Sequence, residues 1–389
     1  MFSLALLLAL FGPPPAAHWV GTWATAPQLV EPRNLPPAPG LAGSTLRQTI
    51  KVSLGGRVLR VRFSNEYGSA PLVIRAAEIA LPAGPGAIVR STRRDLTFHD
   101  RHSITIAPGG EAVSDPVAFP LRPLSELTVS LYFGSVPGGV TGHPGSRATS
   151  FLERGDFVSA ATLPRPAAAV HWYILTGVDV LERQPAAAVV AFGDSITDGH
   201  GTTTDGNNRW PDDLARRLEA RTATRNIAVL NEGIGGNCIL KKCLGPAGVE
   251  RFRRDVLDQP GVRWVILFEG VNDIGTSHAS VAQQIIAADR KFIALAHAHS
   301  IRIYGATITP FGGSFYDSPA HEADWKAVNH WIRHRGAFDA VIDFAAVARD
   351  PAHPERLLPA DDLGDHLHFN PPGYARLAAS IPLRLFRLQ

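Results

Sequence analysis

Four near-continuous apolar runs in the second half of the chain constrain its fold more than any other feature. They lie at 187–192, 227–230, 264–268 and 301–308, with a shorter fifth at 341–344. Short runs without polar alternation belong to strands covered on both faces. Between them lie stretches with helical spacing, at 211–220, 248–257, 281–297 and 322–334. In the first of these Trp210, Leu214 and Leu218 share one face, and Pro211 suits the first turn. Strands alternating with helices predict a parallel sheet with helices on both sides.

The front half follows another pattern. Residues 46–63 hold two alternating runs separated by Gly55-Gly56, which predicts a hairpin. Further short runs follow near 72–79, 96–98, 103–106 and 127–133, punctuated by Pro, Gly and Asp. Many short strands at regular spacing predict a sandwich or jelly roll. A chain of 389 residues exceeds one typical core. The expected organisation is therefore an all-β domain at 18–170 and an α/β domain at 186–389. The change of pattern falls within 165–186, after Pro164 and Pro166.

At the N-terminus, about ten apolar residues precede Gly-Pro-Pro-Pro-Ala-Ala at 12–17. That run is too short for a membrane span and reads as a signal peptide at 1–17, although no Lys or Arg precedes it. The expected location is secreted or periplasmic. No later segment is long and apolar enough to predict a membrane span. A net charge of +3, without a dense Lys/Arg run, argues against a nucleic-acid partner. In an exported protein Cys238 and Cys243, with four residues between them, read as a disulfide; two free thiols are the alternative. No further ligands of zinc spacing lie nearby.

Ligands of open parallel sheets bind beyond the carboxyl ends of the strands, so the residues after each run carry the chemistry. The first run is followed by Gly193-Asp194-Ser195-Ile196-Thr197-Asp198-Gly199. The second leads into Asn231-Glu232-Gly233-Ile234-Gly235-Gly236-Asn237, and the third into Glu269-Gly270-Val271-Asn272-Asp273. A late loop carries Asp365-His366-Leu367-His368-Phe369-Asn370. Taken alone, Asp-Ser after a strand is equally a helix cap.

These four blocks, in this order, resemble those of the GDSL/SGNH hydrolases over roughly the C-terminal 200 residues. Residues 231–274 also resemble a subgroup of exported acyl or aryl esterases that carry an N-terminal β domain. The resemblance implies a three-layer, flavodoxin-like parallel sheet domain preceded by a β-sandwich. It implies Ser195 as nucleophile, His368 as base and Asp365 as the carboxylate that orients it. The oxyanion hole would be the N–H of Ser195, the N–H of Gly236 and the side chain of Asn272, with Gly235 the alternative to Gly236. His366 competes with His368, but the family spacing favours His368. Phe369 departs from the family, in which Pro often follows the catalytic histidine.

Around these, Asp194 and Asp198 read as turn or helix caps, and Asp273 as a support for the Asn272 loop. His143 and Arg147 would border the site if the β domain folds over it. His297, His299, His321, His330 and His334 read as surface or core residues, Trp210 and Trp264 as core, and Asn65-Glu66-Tyr67-Gly68 as a turn. No metal or organic cofactor is implied, because side chains and backbone supply proton transfer and oxyanion stabilisation. The expected substrate is a small-molecule or acylated-carbohydrate ester. The leading reading is a serine esterase removing short acyl groups, acetyl among them, from carbohydrates or aryl alcohols. A long-chain, lipase-like acylhydrolase is the second reading, and a carbohydrate-binding protein with an inert hydrolase domain the third. The sequence does not speak to oligomeric state.

Overall fold

The structure is a computed structural model that describes residues 16–388, so most of the expected signal peptide lies outside the described residues. Its C-terminal part is built on a five-stranded parallel sheet. The strand order is Ile227–Gly233, Ala187–Gly193, Val262–Phe268, Arg302–Ala306, Ala340–Ile342. Both faces of the central strand are buried, which is why its sequence is apolar without alternation. Ala187, Val189 and Ala191 pack with Trp210, Leu214, Leu218 and Leu377 on one side. Ala188, Val190 and Phe192 pack with Phe252 and Phe292 on the other. The helices run over Trp210–Glu219, Gly248–Phe252, Ala282–Ala298, Pro319–His334 and Pro371–Ser380, with a π-helical turn at Arg253–Leu257. Register then sets the site. Gly193 lies level with Gly233 on one neighbour and with Phe268 on the other. The loops that follow all three therefore leave from one height.

The preceding part is antiparallel. One sheet has the order His18–Ala24, Leu175–Glu182, Gly56–Ser64, Glu111–Val113, with Val117–Leu121 also on Gly56–Ser64. A second has the order Ala167–Ala169, Ser150–Arg154, Ser44–Lys51, Glu126–Phe133, Leu72–Ala80, Arg94–Asp95, with Ile104–Ile106 also on Leu72–Ala80. Leu46, Ile50 and Leu131 from the second sheet share a core with Leu59, Val61 and Val180 from the first, as in a β-sandwich. A small third sheet pairs Trp172–Tyr173, Thr141–His143 and Gln28–Leu29.

Two expectations change. The alternating runs at 46–63 form no hairpin: Ser44–Lys51 and Gly56–Ser64 lie in different sheets. Each strand finds its partners elsewhere, and residues 52–55 carry the chain from one sheet to the other. Gly55 there lies so close to Leu121 and Pro123 that a Cβ would fall 2.6 Å from the Leu121 oxygen. The antiparallel region also continues past residue 170. Leu175–Glu182 is a central strand, paired with both His18–Ala24 and Gly56–Ser64.

The two regions are joined along the edge of the parallel sheet. Val229 sits on the outer strand, where its N–H and C=O would lack ladder partners. The Ser53 hydroxyl accepts from Val229 N at 3.0 Å and donates its one hydrogen to the Thr22 carbonyl at 2.7 Å, with Val229 O a longer 3.2 Å away. Beside it Gly21 N donates to Pro260 O at 2.9 Å. Arg254 reaches Glu66 at 2.5 Å and the Pro27 carbonyl at 3.1 Å. Ser53→Ala takes the acceptor from the buried Val229 N–H and is expected to lower unfolding free energy by about 1–3 kcal/mol, read by urea titration.

Candidate active site

Ser195 stands first in a one-turn helix, Ser195–Asp198, directly after the central strand. Asp194 caps that turn, accepting Ile196 N at 3.0 Å, as the sequence predicts. The Ser195 hydroxyl lies 2.8 Å from His368 Nε2, and His368 Nδ1 lies 2.6 Å from Asp365 Oδ2. The other Asp365 oxygen accepts the backbone N–H groups of Leu367 at 3.0 Å and His368 at 2.8 Å. Burial alone would raise the Asp365 carboxyl, but these hydrogen bonds from His368 and Leu367 outweigh it and hold it at about 2. An ionised carboxylate can only accept, so Nδ1 carries the proton and Nε2 presents its lone pair to Ser195. His366 is engaged elsewhere, 2.6 Å from Asp362 and half exposed.

Three donors are expected for the oxyanion. The N–H of Ser195 begins a helix and has no intrahelical acceptor. Of the two candidate glycines, Gly235 donates its N–H to Asp198 Oδ2 at 3.0 Å. Gly236, at φ +70°, has no acceptor for its N–H among the described residues. A left-handed residue there would be strained with any side chain, and Leu244 already fills the space a Cβ would take. The Asn272 amide is fixed at both ends. Its Nδ2 donates to Asn237 O at 2.8 Å, and its Oδ1 accepts from the Tyr316 hydroxyl at 3.0 Å. One amide hydrogen remains free. Burial raises the Tyr316 hydroxyl, which keeps it a protonated donor.

Asp273 supports the glycine loop, accepting Ile239 N at 2.7 Å and Leu240 N at 2.9 Å. Cys238 and Cys243 are disulfide-bonded within that loop. Arg251, fully buried, donates to the carbonyls of Gly193 and Glu232 and to Asn237 Oδ1 at 2.7–2.8 Å. His200 lies tilted against His368 with ring centroids 4.3 Å apart and receives a hydrogen bond from Arg147 at 2.9 Å. Burial, followed by the neighbouring His368 and Arg147, lowers His200, so it adds no charge beside the base.

Sequence reasoning missed Tyr316, Arg251 and His200, none of which lies in the four blocks. It also read Asp198 as a cap, whereas its carboxylate turns to His143 and Gly235. Asn65–Gly68 is a turn, closed by Gly68 N on Asn65 O, and Trp210 and Trp264 are core. His297, His299, His330 and His334 are exposed. His321 sits between the carbonyls of Tyr316 and Ser277 and steadies the segment that carries the Tyr316 hydroxyl.

A serine, histidine and aspartate hydrogen-bonded in line at the carboxyl edge of a parallel sheet form an arrangement that can perform acyl transfer. Residues 191–376 match the model of the GDSL-like lipase/acylhydrolase family, and this stretch is a GDSL-like domain, that of a family of ester hydrolases. Among solved structures, the lipase/acylhydrolase from Enterococcus faecalis is similar at 23% identity and TM-score 0.39, over 50% of this chain and 92% of that one. A GDSL-like lipase from Bacteroides thetaiotaomicron VPI-5482 is similar at 19% identity and TM-score 0.37, over 49% and 84%. A member of the lipolytic protein G-D-S-L family from Veillonella parvula DSM 2008 is similar at 21% and 0.37, over 50% and 96%. No curated protein matches the chain.

Two acids below the site behave oppositely to Asp365. Burial raises Asp194 to about 7 and Glu269 to about 8; Arg251, 3.6 Å from Glu269, offsets only part of that. Both bind a proton more tightly folded than unfolded. Their stabilising contribution is therefore complete below about pH 4 and is lost as pH rises toward 7–8. Melting temperature is expected to fall between pH 5 and pH 8, and Glu269→Gln to flatten that fall, by on the order of a few kcal/mol. Circular dichroism melts across that range test it.

Proposed function

We propose that the protein is an exported serine esterase that removes short acyl groups from carbohydrate or aryl esters through an acyl-enzyme on Ser195. The observation that carries this reading is the unbroken chain from Ser195 through His368 to Asp365, together with Ser195 and Gly236 N–H groups that have no acceptor among the described residues. Ser195 Oγ attacks the ester carbonyl and passes its proton to His368 Nε2. The carbonyl oxygen becomes an oxyanion held by the N–H groups of Ser195 and Gly236 and the Asn272 amide. The intermediate expels the alcohol, which takes the proton from His368. Water then attacks the acyl-serine, giving its proton to His368. Collapse returns that proton to Ser195 and releases the carboxylic acid.

Two features support short acyl groups and polar or aromatic alcohols. Leu244 lies over Gly236 within a loop stiffened by the disulfide, which walls the oxyanion side. Toward solvent His200 and Arg147 lie beside His368, while Phe315 is 71% exposed beside Tyr316 and offers a ring face. The disulfide accords with an exported protein.

Hydrolysis of p-nitrophenyl esters tests the reading. Wild type is expected to turn over acetate and butyrate, and Ser195→Ala to lose nearly all activity. A rate that climbs beyond C4 supports the lipase reading instead. No turnover, with acylated sugars bound equally by both proteins, supports the binding reading. Asn272→Ala is expected to lower kcat about 100-fold or more, the usual cost of one oxyanion donor.

A further inference from the structure

We propose that His143, from the antiparallel region, is a positioning residue for the oxyanion pocket, acting through Asp198 on the peptide that presents Gly236. This rests on the acyl-transfer reading of Ser195. His143 is buried, and both ring nitrogens are engaged: Nδ1 lies 2.9 Å from the Ala26 carbonyl and Nε2 lies 2.9 Å from Asp198 Oδ1. A carbonyl can only accept, so Nδ1 carries a proton. The contact between Nε2 and Asp198 therefore holds a second proton, on one atom or the other. The remaining Asp198 oxygen accepts the Gly235 N–H at 3.0 Å.

That last bond has a directional consequence. It engages the Gly235 N–H, so that the next N–H, of Gly236, is the free one among the described residues. Asp198 has little freedom of its own. Its backbone carbonyl accepts from Arg209 Nε at 2.9 Å, and Arg209 also binds the Ser146 carbonyl of the antiparallel region. Gly145 lies against the carboxylate so closely that a Cβ would overlap Asp198 Oδ2. The cavity beside this cluster, about 40 Å³, is too small for an ester substrate. His143 thus has a route to the reaction through Gly235 and none by touching substrate.

A removed His143 leaves the buried Asp198 carboxylate without its proton-sharing partner, and the carboxylate is then free to leave Gly235 for another donor or for water. The loss falls on stabilisation of the oxyanion, which exists only in the transition state, so kcat drops while KM holds. The experiment compares full-length wild type, Ser195→Ala, His143→Ala, His143→Gln, Asp198→Ala, Asp198→Asn and the double alanine variant. Active sites are counted with a fluorophosphonate, and kcat and KM are measured on p-nitrophenyl acetate alongside inhibition by a small boronic acid. The single alanine variants are expected to lose about 10–100-fold in kcat per titrated site, with boronate affinity falling in parallel. The double variant is expected to lose no more than the worse single, since both act on one peptide. Gln at 143 and Asn at 198 each keep a donor and an acceptor in place and are expected to recover part of the loss, even if the alanine variants fold poorly. Alanine variants with wild-type kcat per titrated site, Gln and Asn variants that recover nothing, or losses confined to melting temperature overturn the proposal while leaving the esterase reading intact. A wild type that turns over no ester removes both.

Discussion

Two strand ends and the loop beyond them have to be held together for this site to exist, and one buried guanidinium holds them. Arg251 donates to the last carbonyl of the central strand, at Gly193, to the Glu232 carbonyl on its neighbour, and to the Asn237 side chain in the loop beyond. It also faces Asp255 at 3.0 Å and lies over the Phe192 ring at 3.9 Å. A planar group with five fixed donors can satisfy several acceptors at once in a way that an ammonium cannot. The positions of Ser195, Gly236 and Asn272 relative to one another follow from that arrangement, since each lies within a few residues of an atom that Arg251 binds or that Asn237 relays.

Around this cation the carboxyl groups divide by environment rather than by type. Asp365 is partly exposed and accepts three N–H groups, so it stays ionised and can keep an imidazole oriented. Asp194 and Glu269 lie beneath the sheet edge with fewer donors, and burial favours their neutral forms. The charged acid thus stands on the solvent side of the base, while those that could compete with it electrostatically are held down.

The parallel sheet was legible because burial on both faces leaves a mark that local sequence carries: runs such as 187–192 have no polar face to show. The four blocks were legible because acyl transfer demands particular residue types directly after particular strands. What could not be read depends on distant pairing. The runs at 46–63 alternate as hairpin strands do, yet alternation reports only that one face is buried, not which sheet buries it. Asp198 engages the Gly235 N–H, and His143, 55 residues earlier in sequence, engages Asp198. Tyr316 orients Asn272 across 44 residues from a loop with no motif. A sequence window contains no trace of such contacts.

The Ser53 hydroxyl on Val229 bears on how the chain is made. Translation completes the antiparallel region, through Glu182, before the first strand of the parallel sheet at Ala187 leaves the ribosome. The strand that will form the open edge of that sheet emerges later still, at Ile227. When it pairs with its neighbour, the surface that caps its outer side has already been synthesised on the same molecule. The front half of the chain then serves its own successor as a built-in escort, shielding a sticky edge from other nascent copies during the interval when it is most exposed to them.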